Sequence, residues 1–196
     1  MICEKYNCIF IHVPKTGGCS IEHVLDPNVK LDTYSMISRV LGNTELVDKH
    51  AKVEKYANSN QFKFAFVRNP WDWLVSYYKW MKLNRDLTTQ DFKAWVKANP
   101  NPLPHSQHSY ISVGGNVIVD FVGRFENLQE DFDKVCDKIG IPRKKLPHKN
   151  SSKYIKNAEG KWEVERKHYT EYYDDETKDI VSERYAKDIE YFGYKF

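Results

Sequence analysis

Two short segments carry the residues best suited to chemistry. The first is His12-Val13-Pro14-Lys15-Thr16-Gly17-Gly18-Cys19-Ser20. Its glycines allow a ligand to approach the backbone closely, and the N–H groups of a following helix face an anion. Lys15 adds a point charge, and Thr16 and Ser20 add hydroxyl donors. Read alone, the segment also fits an ordinary strand-to-helix turn that contains Gly-Gly. The second segment is Phe64-Ala65-Phe66-Val67-Arg68-Asn69-Pro70-Trp71-Asp72-Trp73-Leu74-Val75-Ser76-Tyr77. Arg68 stands where an apolar run ends, and Ser76 follows two helical turns later. An Arg fork with a Ser hydroxyl makes a second oxyanion clamp. An Arg68–Asp72 pair beside a Pro-initiated helix is the plainer alternative. Two clamps after two strands of one sheet suit a single ligand with two separated phosphates.

The order of residues narrows the ligand. Nucleoside triphosphate loops read G-x-x-x-x-G-K-[ST], with Lys after the second Gly. Here Lys15 precedes both glycines, which argues against an ATP- or GTP-hydrolysing machine. A small kinase survives as a rival that magnesium dependence would revive. A non-catalytic nucleotide- or nucleic-acid-binding domain is the other rival.

The elements that must position these segments follow from pattern. Cys8 to Val13 and Lys63 to Val67 are apolar, strand-sized runs stopped by Pro14 and by Arg68-Asn69-Pro70. Val117 to Val122 reads as a third strand. Helices are expected over Ser20 to Leu25, Trp71 to Leu83 behind Pro70, Asp91 to Ala98, and Asn127 to Ile139 closed by Gly140. Asp48 to Tyr56 reads as a short helix with Asp48 as N-cap and His50 in its first turn. Pro147 to Asn157 reads as a loop. Asp174 to Tyr191 reads as one long amphipathic helix with Ile180, Val181, Tyr185 and Ile189 on one side. Strands alternating with helices predict an α/β fold with a mainly parallel sheet, and residues 1–196 are expected to form a single domain.

Composition supports a folded chain and excludes several classes. The 196 residues are 41% hydrophobic and 29% charged, with a formal net charge of +3. That balance is neither disordered nor basic enough for a large nucleic-acid footprint. No run approaches the apolar length of a membrane helix, and the N-terminal residues do not form a secretory signal. Cys3, Cys8, Cys19 and Cys136 show neither metal spacing nor a disulfide framework, so a reduced, cytoplasmic setting is expected. Arg143 to Lys156 contains six basic residues and no acidic one, either a solvated loop or an anion contact.

The two segments together, in this order, resemble the sulfotransferase superfamily. I-F-I-H-V-P-K-T-G-G-C-S is similar to that family's 5′-phosphosulfate loop, and F-A-F-V-R-N-P-W-D-W-L-V-S-Y to its 3′-phosphate motif. The closest type is the Golgi carbohydrate group (heparan- and chondroitin-like). Weaker similarity continues through D-F-V-G-R-F-E-N-L to L-P-H-K-N-S-S. The resemblance implies a P-loop-like, three-layer α/β/α fold. It implies 3′-phosphoadenosine 5′-phosphosulfate as donor, 3′,5′-adenosine bisphosphate as product, and no metal. Pro14, Lys15, Thr16, Gly17, Gly18, Cys19 and Ser20 would hold the 5′ end, Arg68 and Ser76 the 3′-phosphate. Lys149, Ser151, Ser152 and Lys153 match the segment that closes over the nucleotide. Cys19 departs from the Thr or Ser of most relatives.

Sulfuryl transfer implies a base and a group that stabilises the departing oxygen. Lys15 takes the second role. Of seven histidines, His50 is the expected base, with His12 and the His105/His108 pair as competitors and Glu54 as a possible orienter. Trp71, Trp73, Tyr77, Tyr78 and Trp80, interleaved with Lys79, Lys82 and Arg85, are either an acceptor surface or core rings with surface cations. The expected acceptor is a hydroxyl or an amine of a small molecule or glycan, with no nucleic acid and no membrane as partner. The absent membrane anchor weakens the case for a Golgi-type substrate.

Overall fold

The computed structural model describes residues 1–27, 50–84, 91–99, 103, 105–147, 154–156, 162–164 and 167–196. In chain order the strands are β1 (Ile2–Cys3), β2 (Cys8–Ile11), β3 (Phe62–Val67), β4 (Ser112–Val113), β5 (Asn116–Val117), β6 (Phe121–Arg124), β7 (Tyr154–Lys156) and β8 (Trp162–Val164). The α-helices are α1 (Gly18–Leu25), α2 (Pro70–Asn84), α3 (Phe92–Ala98), α4 (Gln107–Ile111), α5 (Leu128–Ile139), α6 (Asp175–Arg184) and α7 (Ala186–Phe192). The chain divides into two compact units, Met1–Val67 with Ser109–Lys149 and Arg68–His108 with Asn150–Phe196.

The first unit contains a four-stranded sheet of order β1-β2-β3-β6. β2, β3 and β6 run parallel, and only the two-residue β1 is antiparallel. β2 is buried at every position, as its uninterrupted Cys-Ile-Phe-Ile run requires of a strand covered on both faces. Phe10, Phe64 and Phe66 of the sheet pack with Ile21 and Leu25 of α1 and Phe132, Val135 and Cys136 of α5. This α/β arrangement with a mostly parallel sheet agrees with the sequence expectation. Gly123 faces Phe66 in register, where a Cβ would lie 2.4 Å from the ring.

The second unit is built on aromatic side chains. Trp73 of α2 meets Tyr185 edge-on at 5.4 Å, and Tyr78 meets both Phe92 and Trp95 of α3 at 5.2 Å. Trp71 Nε1 donates to the Lys178 carbonyl, and Tyr173 Oη donates to the Trp71 carbonyl. Trp71, Trp73 and Tyr78 are therefore core rings, not an exposed acceptor surface.

Several expected boundaries are corrected. The third strand begins at Phe121 rather than Val117, because Asp120 exchanges bonds with Lys63 and sets the register there: Lys63 N donates to Asp120 Oδ2, and Asp120 N donates to Lys63 O. Val117 instead closes the small β4–β5 hairpin. The stretch expected as a loop from 147 contains β7, paired antiparallel with β8. The single C-terminal helix is two helices separated at Tyr185, which leaves helical geometry at φ −113° and ψ 27°. Tyr185 is buried there against Trp73, a tertiary contact that periodicity does not register. The helix expected over 48–56 is a 3-10 turn, Val53–Tyr56, so His50 precedes it; Asp48 lies outside the described residues.

Candidate active site

β2 ends at Ile11, and the chain turns through Pro14 to Gly17 before α1 begins at Gly18. Lys15 takes φ +64° and Gly17 φ +82°. Gly17 carries no Cβ penalty in this left-handed region, whereas Lys15 does, at a cost of about 1–2 kcal/mol. Backbone strain of this kind, held by the surrounding fold, clusters at active sites and ligand clamps, although Asn7 takes the same left-handed region at a plain turn, φ +49°. Thr16 is fully buried, and its hydroxyl donates to the Val13 carbonyl at 2.8 Å. Its contribution to a ligand is thus through its main chain. Ser20 is buried in the first turn of α1, and Cys19 is half-exposed beside it.

Three side chains stack behind this turn. His12 Nδ1 lies 2.7 Å from Glu22 Oε1, with both residues 3% exposed. The His50 ring meets the His12 ring edge-on at 4.7 Å, and His50 Nδ1 lies 3.0 Å from the His12 carbonyl. A carbonyl only accepts, so His50 carries its proton on Nδ1. In the neutral ring the basic lone pair then falls on Nε2, the tautomer a general base needs. Gly18 permits the stack, since a Cβ there would lie 2.3 Å from His12 Nε2. Glu54, expected as a possible orienter of His50, is exposed on the 3-10 turn, and the His12 carbonyl makes the orienting bond. Glu22 was not anticipated. Its signal is a carboxylate set among Ile21, Val24 and Leu25 on a short buried helix.

In the second unit, Arg68 is 7% exposed and its Nε donates to Asp72 Oδ2 at 2.7 Å, so the plain pairing is real. Ser76 is buried on α2. His108 is buried with its ring edge-on to Tyr191, and burial, with Lys187 nearby, pushes its pKa below the usual value. It is a buried residue of the second unit. Lys79 lies 5.1 Å over the Tyr172 ring and Lys82 5.6 Å over Tyr78. Lys149, Ser151, Ser152, Lys153 and Arg85 lie outside the described residues. Among the described residues, no group of three or more His, Cys, Asp or Glu side chains is placed to hold a metal ion, and no helix is long and apolar enough to cross a membrane.

A mostly parallel sheet with a Lys-Thr-Gly turn between β2 and α1 defines an α/β protein. The chain belongs to the sulfotransferase family, whose profile matches residues 1–195. It is also similar to an uncharacterized protein of Archaeoglobus fulgidus, 43% identical over 84 residues, which is 40% of this chain and 68% of the relative. No solved structure matches it.

Proposed function

We propose that this protein transfers a sulfuryl group from 3′-phosphoadenosine 5′-phosphosulfate to a hydroxyl acceptor, a carbohydrate or small metabolite. The observation that carries the reading is the turn at Lys15 and Gly17, where two left-handed residues lead into the N-terminus of α1. Main-chain N–H groups at such a turn fit a 5′-phosphosulfate. Pro14, Lys15, Thr16, Gly17, Gly18, Cys19 and Ser20 hold that end. Arg68 and Ser76 hold the 3′-phosphate, with Asp72 fixing the guanidinium through Nε. Lys149, Ser151, Ser152 and Lys153 complete the enclosure of the nucleotide. The proposal includes the finer features of the resemblance: a three-layer, P-loop-like arrangement, one functional domain over 1–196, the carbohydrate-type subgroup, a cytoplasmic setting and no metal requirement.

The donor supplies the sulfuryl group and a good leaving oxygen; the protein supplies position and charge. His50 Nε2 takes the acceptor's hydroxyl proton as the new S–O bond forms. The ammonium of Lys15 sits at the bridging oxygen, which keeps the electron pair of the S–O bond that breaks. The bond from His50 Nδ1–H to the His12 carbonyl keeps the ring in the required tautomer and stabilises it once protonated.

Thermal unfolding with 3′,5′-adenosine bisphosphate tests the reading, beside 5′-AMP, ADP and ATP with and without magnesium. At 100 times its Kd the bisphosphate should add about 2.7 kcal/mol, a rise of roughly 5–11 °C for a chain of this size. A shift confined to magnesium-ATP would turn the reading to a kinase, and no shift at all would remove the donor site.

A further inference from the structure

Arg68 follows directly on β3, at the point where the sheet ladder stops. Its main chain is nonetheless fully engaged by one side chain. Arg68 N donates to Gln107 Oε1 at 2.8 Å, and Gln107 Nε2 donates to the Arg68 carbonyl at 2.7 Å. A primary amide is the side chain that matches one donor and one acceptor in this way, and the contact fixes which end of the amide is oxygen. Gln107 is itself fully buried and held from behind. Its own N–H donates to Asp188 Oδ2, and the N–H of His108 donates to Asp188 Oδ1, both at 2.8 Å. Asp188, on α7, is also fully buried. Gln107 thus closes on the Arg68 backbone with Asp188 seated behind it, two segments distant in sequence, while Asp72 holds the Arg68 side chain.

We propose that Gln107, seated by Asp188, is the positioning residue for Arg68 and so sets the protein's preference for a nucleotide bearing a 3′-phosphate. The proposal rests on the reading of Arg68 as the 3′-phosphate clamp. Neither Gln107 nor Asp188 touches the ligand in this scheme. Gln107 does for Arg68 what a neighbouring strand does for a residue inside a sheet: it fixes the peptide planes on both sides of the Cα, and with them the direction of the Cα–Cβ bond, from which Asp72 orients the guanidinium. A bidentate phosphate contact depends on that direction, because the fork loses one of its two bonds when the backbone rotates.

Titration calorimetry with 3′,5′-adenosine bisphosphate and with 5′-AMP, on the whole chain, tests this. The variants are Arg68→Ala, Gln107→Met, their combination, and Asp188→Asn. Gln107→Met should weaken the bisphosphate by tenfold or more and leave 5′-AMP within about twofold. It should add nothing in the Arg68→Ala background, since both changes disable one contact. Asp188→Asn, acting one step further back, should give a smaller loss of the same selectivity. If Gln107→Met does not fold, Gln107→Glu carries the comparison, because it keeps the bond from Arg68 N–H and loses the one to the carbonyl. A residue that merely supports the fold would weaken both nucleotides alike. Equal weakening, or a Gln107 effect that persists in full without Arg68, overturns the proposal. If Arg68→Ala leaves the ratio of the two affinities unchanged, the 3′-phosphate reading itself fails, and the inference fails with it.

Discussion

Replacing Gly18 by Ala should destabilise the protein even though Ala is the better helix former. At the first residue of α1 the exchange would ordinarily gain up to about 1 kcal/mol. Here the new Cβ would lie 2.3, 2.4 and 2.7 Å from Nε2, Cδ2 and Cε1 of His12. Non-bonded carbon contacts settle near ~3.5–4 Å, so the ring must retreat by about 1 Å. His12 has nowhere cheap to go: it is 3% exposed and held 2.7 Å from Glu22. Displacement forfeits a hydrogen bond to a buried carboxylate, about 1.5–3 kcal/mol, with overpacking adding about 1–3 kcal/mol. After the propensity gain and partial relaxation, a net loss of about 2–4 kcal/mol remains. That is a fall in Tm of roughly 5–15 °C. Urea unfolding followed by circular dichroism reads the change, and a His12→Ala background provides the control. Without the ring, Gly18→Ala should become neutral or slightly stabilising. A Gly18→Ala protein as stable as the parent would refute the stacked arrangement of His12 over Gly18.

Three further outcomes are expected. Lys15→Gly should raise stability by about 0.5–1 kcal/mol, because a left-handed residue is relieved of its Cβ, while sulfate transfer is lost; calorimetric unfolding and a transfer assay on the same sample check both halves. His50→Ala should cut turnover by about 10²–10⁴-fold and leave bisphosphate affinity within about twofold, whereas normal turnover would reassign the base. Asp188 has its pKa pushed up to about 6 by burial, against 3.8 for an ordinary Asp, so the folded protein holds that proton more tightly than the unfolded chain. Its contribution is therefore fully present below about pH 4 and is lost as pH rises through about 6, a span of about 3 kcal/mol. His108 carries the opposite sign, since burial lowers its pKa and acid charges it. The clean measurement is accordingly the difference between the parent and Asp188→Asn across pH 4–8, and a difference that does not change with pH would exclude the buried carboxylate as its source.

Legibility in the sequence followed the range of the interactions. β2 and β3 could be read because each carries an unbroken apolar stretch, Cys8–Ile11 and residues 64–67, with Pro close behind it. The turn at Lys15 and the α2 start at Pro70 were equally local. Glu22 was hidden because its partner is a histidine on a different element. Gln107 and Asp188 were hidden because their partners lie far along the chain. Asp188 did leave a trace, sharing the buried stripe of Val181, Tyr185 and Phe192 at helical spacing. A carboxylate on an apolar stripe asks for a donor, and that question points to the main-chain N–H groups of Gln107 and His108. Tyr185 shows the reverse failure: its apolar position suggested an unbroken helix, and its packing on Trp73 broke it.

The parallel sheet has a kinetic consequence. Cys8 pairs with Phe62 and Phe64 with Phe121, so each parallel pairing closes a segment of about 55 residues. No hairpin can nucleate those contacts, and the entropy of closing both loops must be met before Phe10, Phe64 and Phe66 reward it. The sheet should therefore assemble late and slowly, with α1 and α5 forming first as transient local structure. Substitutions in β3, which takes part in both closures, should slow refolding more than those in α5 do. A newly made chain would meanwhile expose two strand-sized apolar runs, which makes β2 and β3 the segments most prone to aggregate before folding completes.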